Sequence, residues 1–266
     1  MDLTCLCYFA HQAHVRTFWG AGTRPDGRLF TQARPTTVVS SLLKHSAGSA
    51  LVKQGDTKVL VAMTTQIGQP SPDIPDHGDV VVSVSSDGHA DLLQAWLQRM
   101  LDETLPPRLN LLTGKACIRL VVTVMILQDS GNLMDAALLG CMAAWKDTTL
   151  PSMQELKEVD GKLWWKEEPS SSLSKKSPEE SEGSIDYRLS LTMGIVKVGE
   201  ENKTTFLVDP TTIEAKQLEG SLTVVVNVST QTIQVEYSGS VSLSATELAL
   251  AAKMASGSAD ELVKLL

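Results

Sequence analysis

Read for its alternation of apolar and polar positions, the chain opens with strand signals. Thr36 to Leu43, Ser49 to Lys53 and Lys58 to Thr64 are short β-branched runs, divided by Gly48 and by the turn dipeptide Gly55-Asp56. They predict an antiparallel meander. Gln69 to Gly78 holds Pro70, Pro72 and Pro75 and is expected to be a loop, because proline gives no N–H to a ladder. Val80 to Val84 is strand-like again. From Asp91 the period lengthens: Leu93, Trp96, Leu97, Met100 and Leu101 share one helical face until Pro106-Pro107.

Ala116 to Leu127 is almost wholly apolar, which predicts a central strand covered on both faces, ending in the turn formers Asp129-Ser130-Gly131-Asn132. Leu133 to Trp145 carries one charge, Asp135, among small and apolar residues. A helix of that composition has no solvent face and belongs at the centre of the fold. Asp129 and Asp135 bracket its start and are expected to cap it.

Lys166 to Ser184 breaks the pattern, with Ser, Glu, Lys and Pro and almost nothing to bury, so it is expected to be a disordered surface insertion. Strand signals resume at Tyr187 to Lys197, Thr204 to Val208, Leu222 to Val228 and Thr232 to Tyr237. The tail reads as two helical segments, each with a capping-box spacing (Ser244 with Glu247, Ser258 with Glu261) and parted by Gly257. The layout predicts an α+β class with mostly antiparallel sheets.

Composition then excludes several functions. With 23 basic against 31 acidic side chains and a net charge of −8, the chain lacks the excess of a protein that coats nucleic acid alone, so RNA contact has to be local or shared. No uncharged apolar run approaches the roughly 20 residues of a membrane helix. No basic region precedes the apolar first ten residues, which argues against a secretory signal. Cys5, Cys7, Cys117 and Cys141 are expected to be free thiols. Cys5 and Cys7 lack zinc-knuckle spacing and His11 with His14 add only two ligands, so no metal site is expected. His77 and His89, near Asp76, Asp87 and Asp91, read as a polar loop. Sequons at Asn202 and Asn227 carry no weight in a reducing compartment. No P-loop, GxGxxG or G-x-S-x-G is present, and no cofactor is implied.

Several stretches in one order carry a resemblance. They are Arg24-Pro-Asp-Gly-Arg28, Arg34-Pro-Thr-Thr-Val38, Gly48-Ser-Ala-Leu-Val-Lys53 and Gly55-Asp-Thr-Lys-Val59, then the loop Pro70 to Asp76. Asp129-Ser-Gly-Asn-Leu-Met-Asp-Ala136, Phe206-Leu-Val-Asp-Pro-Thr211 and Gly220-Ser-Leu-Thr-Val-Val225 follow. From Arg24 to Leu266 this resembles the RNase PH family, and within it the non-catalytic ring subunits of the eukaryotic RNA exosome. Residues 1–23 lie outside the likeness and are expected to be an irregular arm.

The resemblance implies an RNase PH-like α+β domain over 24–266 and a structural role in a six-membered ring that threads RNA toward a separate 3′-to-5′ ribonuclease. It implies RNase PH-like ring neighbours, S1/KH cap subunits, RNA met through the assembly, no membrane, and a place in nucleus, nucleolus and cytoplasm. In active members a Ser or Thr followed by Arg, at the turn into the buried helix, holds the phosphate that attacks RNA. Here that turn reads Asn132-Leu133-Met134, a degenerate phosphate site, and no residue is assigned as catalytic. The alternative is a phosphate-dependent exoribonuclease active in its own right. Asp209 falls near an acidic residue of active relatives, although Asp209-Pro210 also reads as a strand-ending turn. Arg24, Arg28 and Arg99 are weak candidates for RNA contact, against the plainer expectation for Arg24 and Arg28 that they pair with acids around a Pro-Asp-Gly turn.

Overall fold

The computed structural model describes residues 15–70, 72–85, 90–105, 109–112, 114–150, 156–159, 162–165, 186–198 and 203–266. The first β-branched runs form β1 (Thr36–Ser40), β2 (Gly48–Gln54) and β3 (Thr57–Gly68), paired antiparallel as expected. Gly55, at φ 57, turns β2 into β3 in a left-handed conformation that glycine adopts without strain. β4 (Asp79–Ser85), α1 (Ala90–Asp102), β5 (Asn110–Leu112) and β6 (Ala116–Gln128) follow. β6 pairs antiparallel with β3 and parallel with β4, because α1 carries the chain back across the sheet. The sheet order is β1-β2-β3-β6-β4, with the short β5 against β6.

β4 ends this sheet, and α1 blunts its edge. Gln98 accepts from the Val82 N–H at 2.8 Å and donates to the Val80 carbonyl at 2.7 Å, while Gln94 accepts from Val84 at 3.3 Å. Helical side chains thus supply the partners a further strand would have given. The expectation that β6 is covered on both faces is corrected. Residues such as Leu120, Val122 and Val124 are buried, but Met125 and Leu127 are exposed, so the sheet has one packed and one open face.

The buried helix is present as α2 (Leu133–Asp147), in which every residue from Asp135 to Trp145 is buried. Its C-terminal end meets β2 so closely that a Cβ on Gly48 would lie 2.4 Å from the Ala144 carbonyl oxygen. β7 (Leu156–Val159) and β8 (Lys162–Trp165) pair as a hairpin that the sequence reading lacked. The insertion expected at 166–184 lies outside the described residues. β9 (Arg188–Val198), β10 (Lys203–Val208), α3 (Thr212–Ala215), β11 (Gly220–Asn227), β12 (Ile233–Gly239) and α4 (Ala245–Val263) complete the chain. The second sheet is antiparallel throughout, in the order β10-β9-β11-β12. The mostly antiparallel α+β class expected from the pattern is the one observed.

α2 packs against β2 and β3 on one side and β9 on the other, so both sheets share one core. α4 lays Ala251, Ala255 and Ala259 on β9 and β11. It runs unbroken through Gly257, which corrects the expected break. Its first capping box is real: Ser244 Oγ accepts from Glu247 N, and Ser244 N donates back to the Glu247 carboxylate at 2.7 Å. The N-terminal arm is also corrected where it is described. Residues 15–20 are helical, and Val15 and Trp19, four apart on one face, bury themselves against Val196 and Leu207. No helix among the described residues is long and apolar enough to cross a membrane.

Candidate functional site

Three distant pieces of chain meet below the start of α2: the segment from Arg24 to Arg34, the end of β10 at Asp209, and the turn from Asp129 to Asn132. Arg24 is only 1% exposed. Its guanidinium grips Glu214 with two bonds, at 2.8 and 2.6 Å, and donates to the Val208 and Asp209 carbonyls at 2.7 and 3.0 Å. Arg28, 9% exposed, pairs with Asp26 at 2.7 Å and with Asp209 at 3.3 Å. Both arginines are therefore spent inside the fold on acids, and neither is presented to a nucleic acid. Arg99 lies on α1, exposed, and pairs with Glu236 of β12.

Arg34 stands in one of the stretches that carry the resemblance but was not a candidate site residue, yet it is the centre of this arrangement. It donates to both carboxylate oxygens of Asp209, at 2.8 and 2.7 Å, and to the carbonyls of Ser130 and Gly131 at 3.2 and 2.9 Å. A planar fork of this kind fixes the carboxylate and the turn together. Asp209 is fully buried with φ 52, so the strand-ending turn is present and its side chain has a second use. Burial alone would raise its pKa. The Arg34 hydrogen bond, charge and backbone N–H, with the Asn132 amide, outweigh burial and hold the carboxyl below its ordinary value.

Asn132 occupies the N-cap position of α2 in left-handed backbone, at φ 55, and makes no side-chain cap. Its amide nitrogen donates instead to Asp135 and to Asp209, each at 2.8 Å. Asp135 does not cap the helix either. It points toward β9 and accepts from Ser190 Oγ, Thr192 N and Thr192 Oγ1 at 2.7, 2.7 and 2.9 Å. Burial pushes its carboxyl above the ordinary value despite these donors. Asp129 accepts from the Gly131 N–H at 2.8 Å, bracing the turn rather than the helix.

Beside this knot opens a cleft of about 880 Å³. Asn132, Leu133 and Met134 line it from α2, with Leu92 and Leu93 from α1, Leu127 and Asp129 from the end of β6, and Glu219 to Ser221 with Ser238 and Gly239 from β11 and β12. Among the described residues its lining holds two carboxylates, Asp129 and Glu219, and no lysine, arginine or histidine. The positive end of the α2 dipole points here, but Asp135 in the first turn opposes it. Both N–H groups of the Asn132 amide and the Thr192 hydroxyl are already committed to carboxylates. Among the described residues no cation lines this place, and the Asn132 and Thr192 donors are engaged.

Elsewhere, His77 pairs with Asp76 at 3.0 Å on the proline-rich loop, while Asp87 and His89 lie outside the described residues. Among the described residues no group of three or more His, Cys, Asp or Glu gathers as metal ligands. Cys117 and Cys141 are free and buried, and burial drives the Cys141 thiol up to about 12. Cys5, Cys7, His11, His14 and Asn202 lie outside the described residues.

Comparison with known proteins places this geometry. The 3′ exoribonuclease family model for domain 1 matches residues 32–151, and the model for domain 2 matches residues 189–258. The exosome complex component Rrp42 of Methanocella arvoryzae is 31% identical over 157 residues, 52% of this chain and 60% of that protein. Its counterpart in Methanopyrus kandleri is 29% identical over 232 residues, 81% and 80% of the two chains. The chain thus spans about 60% of the first relative's length and 80% of the second's. Among solved structures, an archaeal exosome core matches with a TM-score of 0.74 at 24% identity, over 97% of this chain and 96% of the other. An Archaeoglobus fulgidus exosome with RNA bound to the active site gives 0.75 at 23%, over 97% and 98%. Both family domains are present in sequence order, one on each sheet, and the chain belongs to the 3′ exoribonuclease, or RNase PH, family.

Proposed function

We propose that the chain is a structural ring subunit of an exosome-type complex, contributing shape and interfaces to 3′-to-5′ RNA processing and degradation without phosphorolytic chemistry of its own. The observation that carries this reading is the start of α2. The residues at the family's phosphate-holding turn are Asn132, Leu133 and Met134; the Asn132 amide is spent on Asp135 and Asp209, and the cleft lining has no cation among the described residues. Orienting phosphate for attack needs an anion-binding fork or equivalent donors, and loss of one such donor typically costs about 2.7–4 kcal/mol of transition-state stabilisation.

The relatives named exosome complex component Rrp42 support membership of such an assembly. Asp209-Pro-Thr211, Gly220-Ser-Leu-Thr-Val224 and Leu150-Pro151 resemble most the ring position called exosome component 8, with component 7 the alternative. On this reading the partners are other RNase PH-like ring subunits, S1/KH cap subunits and an associated ribonuclease. RNA is met through the assembly, in nucleus, nucleolus and cytoplasm. The test is incubation of the purified chain with 5′-labelled RNA, magnesium and inorganic phosphate. RNA of unchanged length is expected; phosphate-stimulated release of nucleoside diphosphates would establish the active exoribonuclease instead.

A further inference from the structure

The cleft at the start of α2 has a volume of about 880 Å³. Leu93, Ile126, Leu133, Met134 and Leu218 give it an apolar lining. Two further lining leucines are open to solvent, Leu92 at 74% and Leu127 at 54%. Across from them stand small residues, Gly220, Ser221, Ser238 and Gly239. Among the described residues the charge on the lining is of one sign. Glu219 is paired with Lys197 at 3.4 Å, whereas Asp129 is exposed and accepts from the backbone N–H of Gly131. Arg24, Arg28 and Arg34, which meet below the start of α2, are paired with Asp26, Asp209 and Glu214 and do not line the cleft.

A concave surface with exposed leucines and one exposed carboxylate free of an ion pair disfavours a polyanion and suits its opposite. We propose that this cleft docks a segment of a partner protein in which apolar side chains are flanked by lysine or arginine. The apolar side chains enter beside Leu93, Leu133 and Met134, and the cation meets Asp129. Charge complementarity selects this occupant over RNA, and the volume suffices for several side chains. The inference rests on the reading that the phosphate site is lost, since a working phosphate site would require a cation where none is found among the described residues.

The test uses the full chain and fluorescence anisotropy with four labelled probes: a leucine–lysine peptide, the same peptide with glutamate for lysine, one with serine for leucine, and oligo(A) RNA. The leucine–lysine peptide is expected to bind best. Leu127→Ser, at an exposed position, should weaken it about tenfold, and Asp129→Lys should weaken it by a similar factor while improving the leucine–glutamate peptide. Serine–lysine binding as tight as leucine–lysine binding, indifference to both substitutions, or displacement of the peptide by oligo(A) would overturn the proposal. Phosphate-dependent shortening of RNA by the same preparation would instead overturn the reading beneath it. Lost peptide selectivity in a preparation that leaves RNA intact would count against the docking site alone.

Discussion

At Asp209 the chain holds a carboxylate away from water in left-handed backbone, fastened by Arg34, Arg28 and Asn132. Removing it takes away the carboxylate that Arg34 pairs with in a buried place and leaves Arg28 to Asp26, so Asp209→Ala should cost about 3–5 kcal/mol in urea unfolding at pH 7. Unchanged stability would show the knot to be dispensable. The pH dependence follows from the lowered pKa. A carboxyl held below its unfolded value contributes stability that is complete above about pH 4 and is lost as pH falls through the folded value, so the gap between wild type and variant should close below about pH 4. Asp135, raised by burial, has the opposite slope and stabilises somewhat as it takes up its proton. The Asp209-Pro210 turn was legible in sequence because turn chemistry is local. The destination of the side chain was not, since Arg34 lies 175 residues away. The same holds for Arg24 and Arg28, whose Pro-Asp-Gly turn was readable while their distant partners, Glu214 and Asp209, were not.

Elements show the same division between local and distant causes. α2 was readable because its composition leaves no polar face, and its core position makes a definite demand on Gly140. A Cβ there would lie 2.9 Å from Val61 Cγ2 and 3.5 Å from Val52 Cγ2. Gly140→Leu should therefore cost roughly 1–3 kcal/mol or more, read as a lowered thermal midpoint; an unchanged midpoint would mean the helix is not wedged between the sheets. α4 was misread as two pieces. One glycine costs a helix only about 1 kcal/mol, and burial of Ala255 and Ala259 on either side of it keeps the helix continuous. Nothing lies within 4 Å of a Cβ at Gly257. Gly257→Ala should accordingly stabilise the protein by about 0.5–1 kcal/mol in urea unfolding, and destabilisation would argue for a break after all. α3 was overlooked although Thr211 and Glu214 form a full capping box, because only four residues follow the cap. The open face of β6 was missed for a different reason: an apolar run announces burial, but does not say by what.

On the scale of the whole molecule, the two family domains are fastened by α2, which both sheets use as core, and by the buried arginines that tie the N-terminal segment to β10 and α3. The chain is acidic in sum, with a cleft that no cation lines among the described residues and a sheet face on which Val39, Val81, Met125 and Leu127 are exposed. Such surfaces belong to a chain that works beside others. A subunit of a closed ring presents different surfaces to two neighbours, and a pore that passes RNA must then draw much of its positive charge from those neighbours. The central claim is membership of that ring. It is tested most directly by size-exclusion chromatography with light scattering on the chain, alone and co-expressed with a ring subunit of the catalytic type, with single-stranded RNA binding measured on each near physiological salt. The account predicts self-association and weak RNA binding alone, and a soluble one-to-one heterodimer with the partner. A stable monomer that ignores the partner and binds RNA at submicromolar affinity would contradict it.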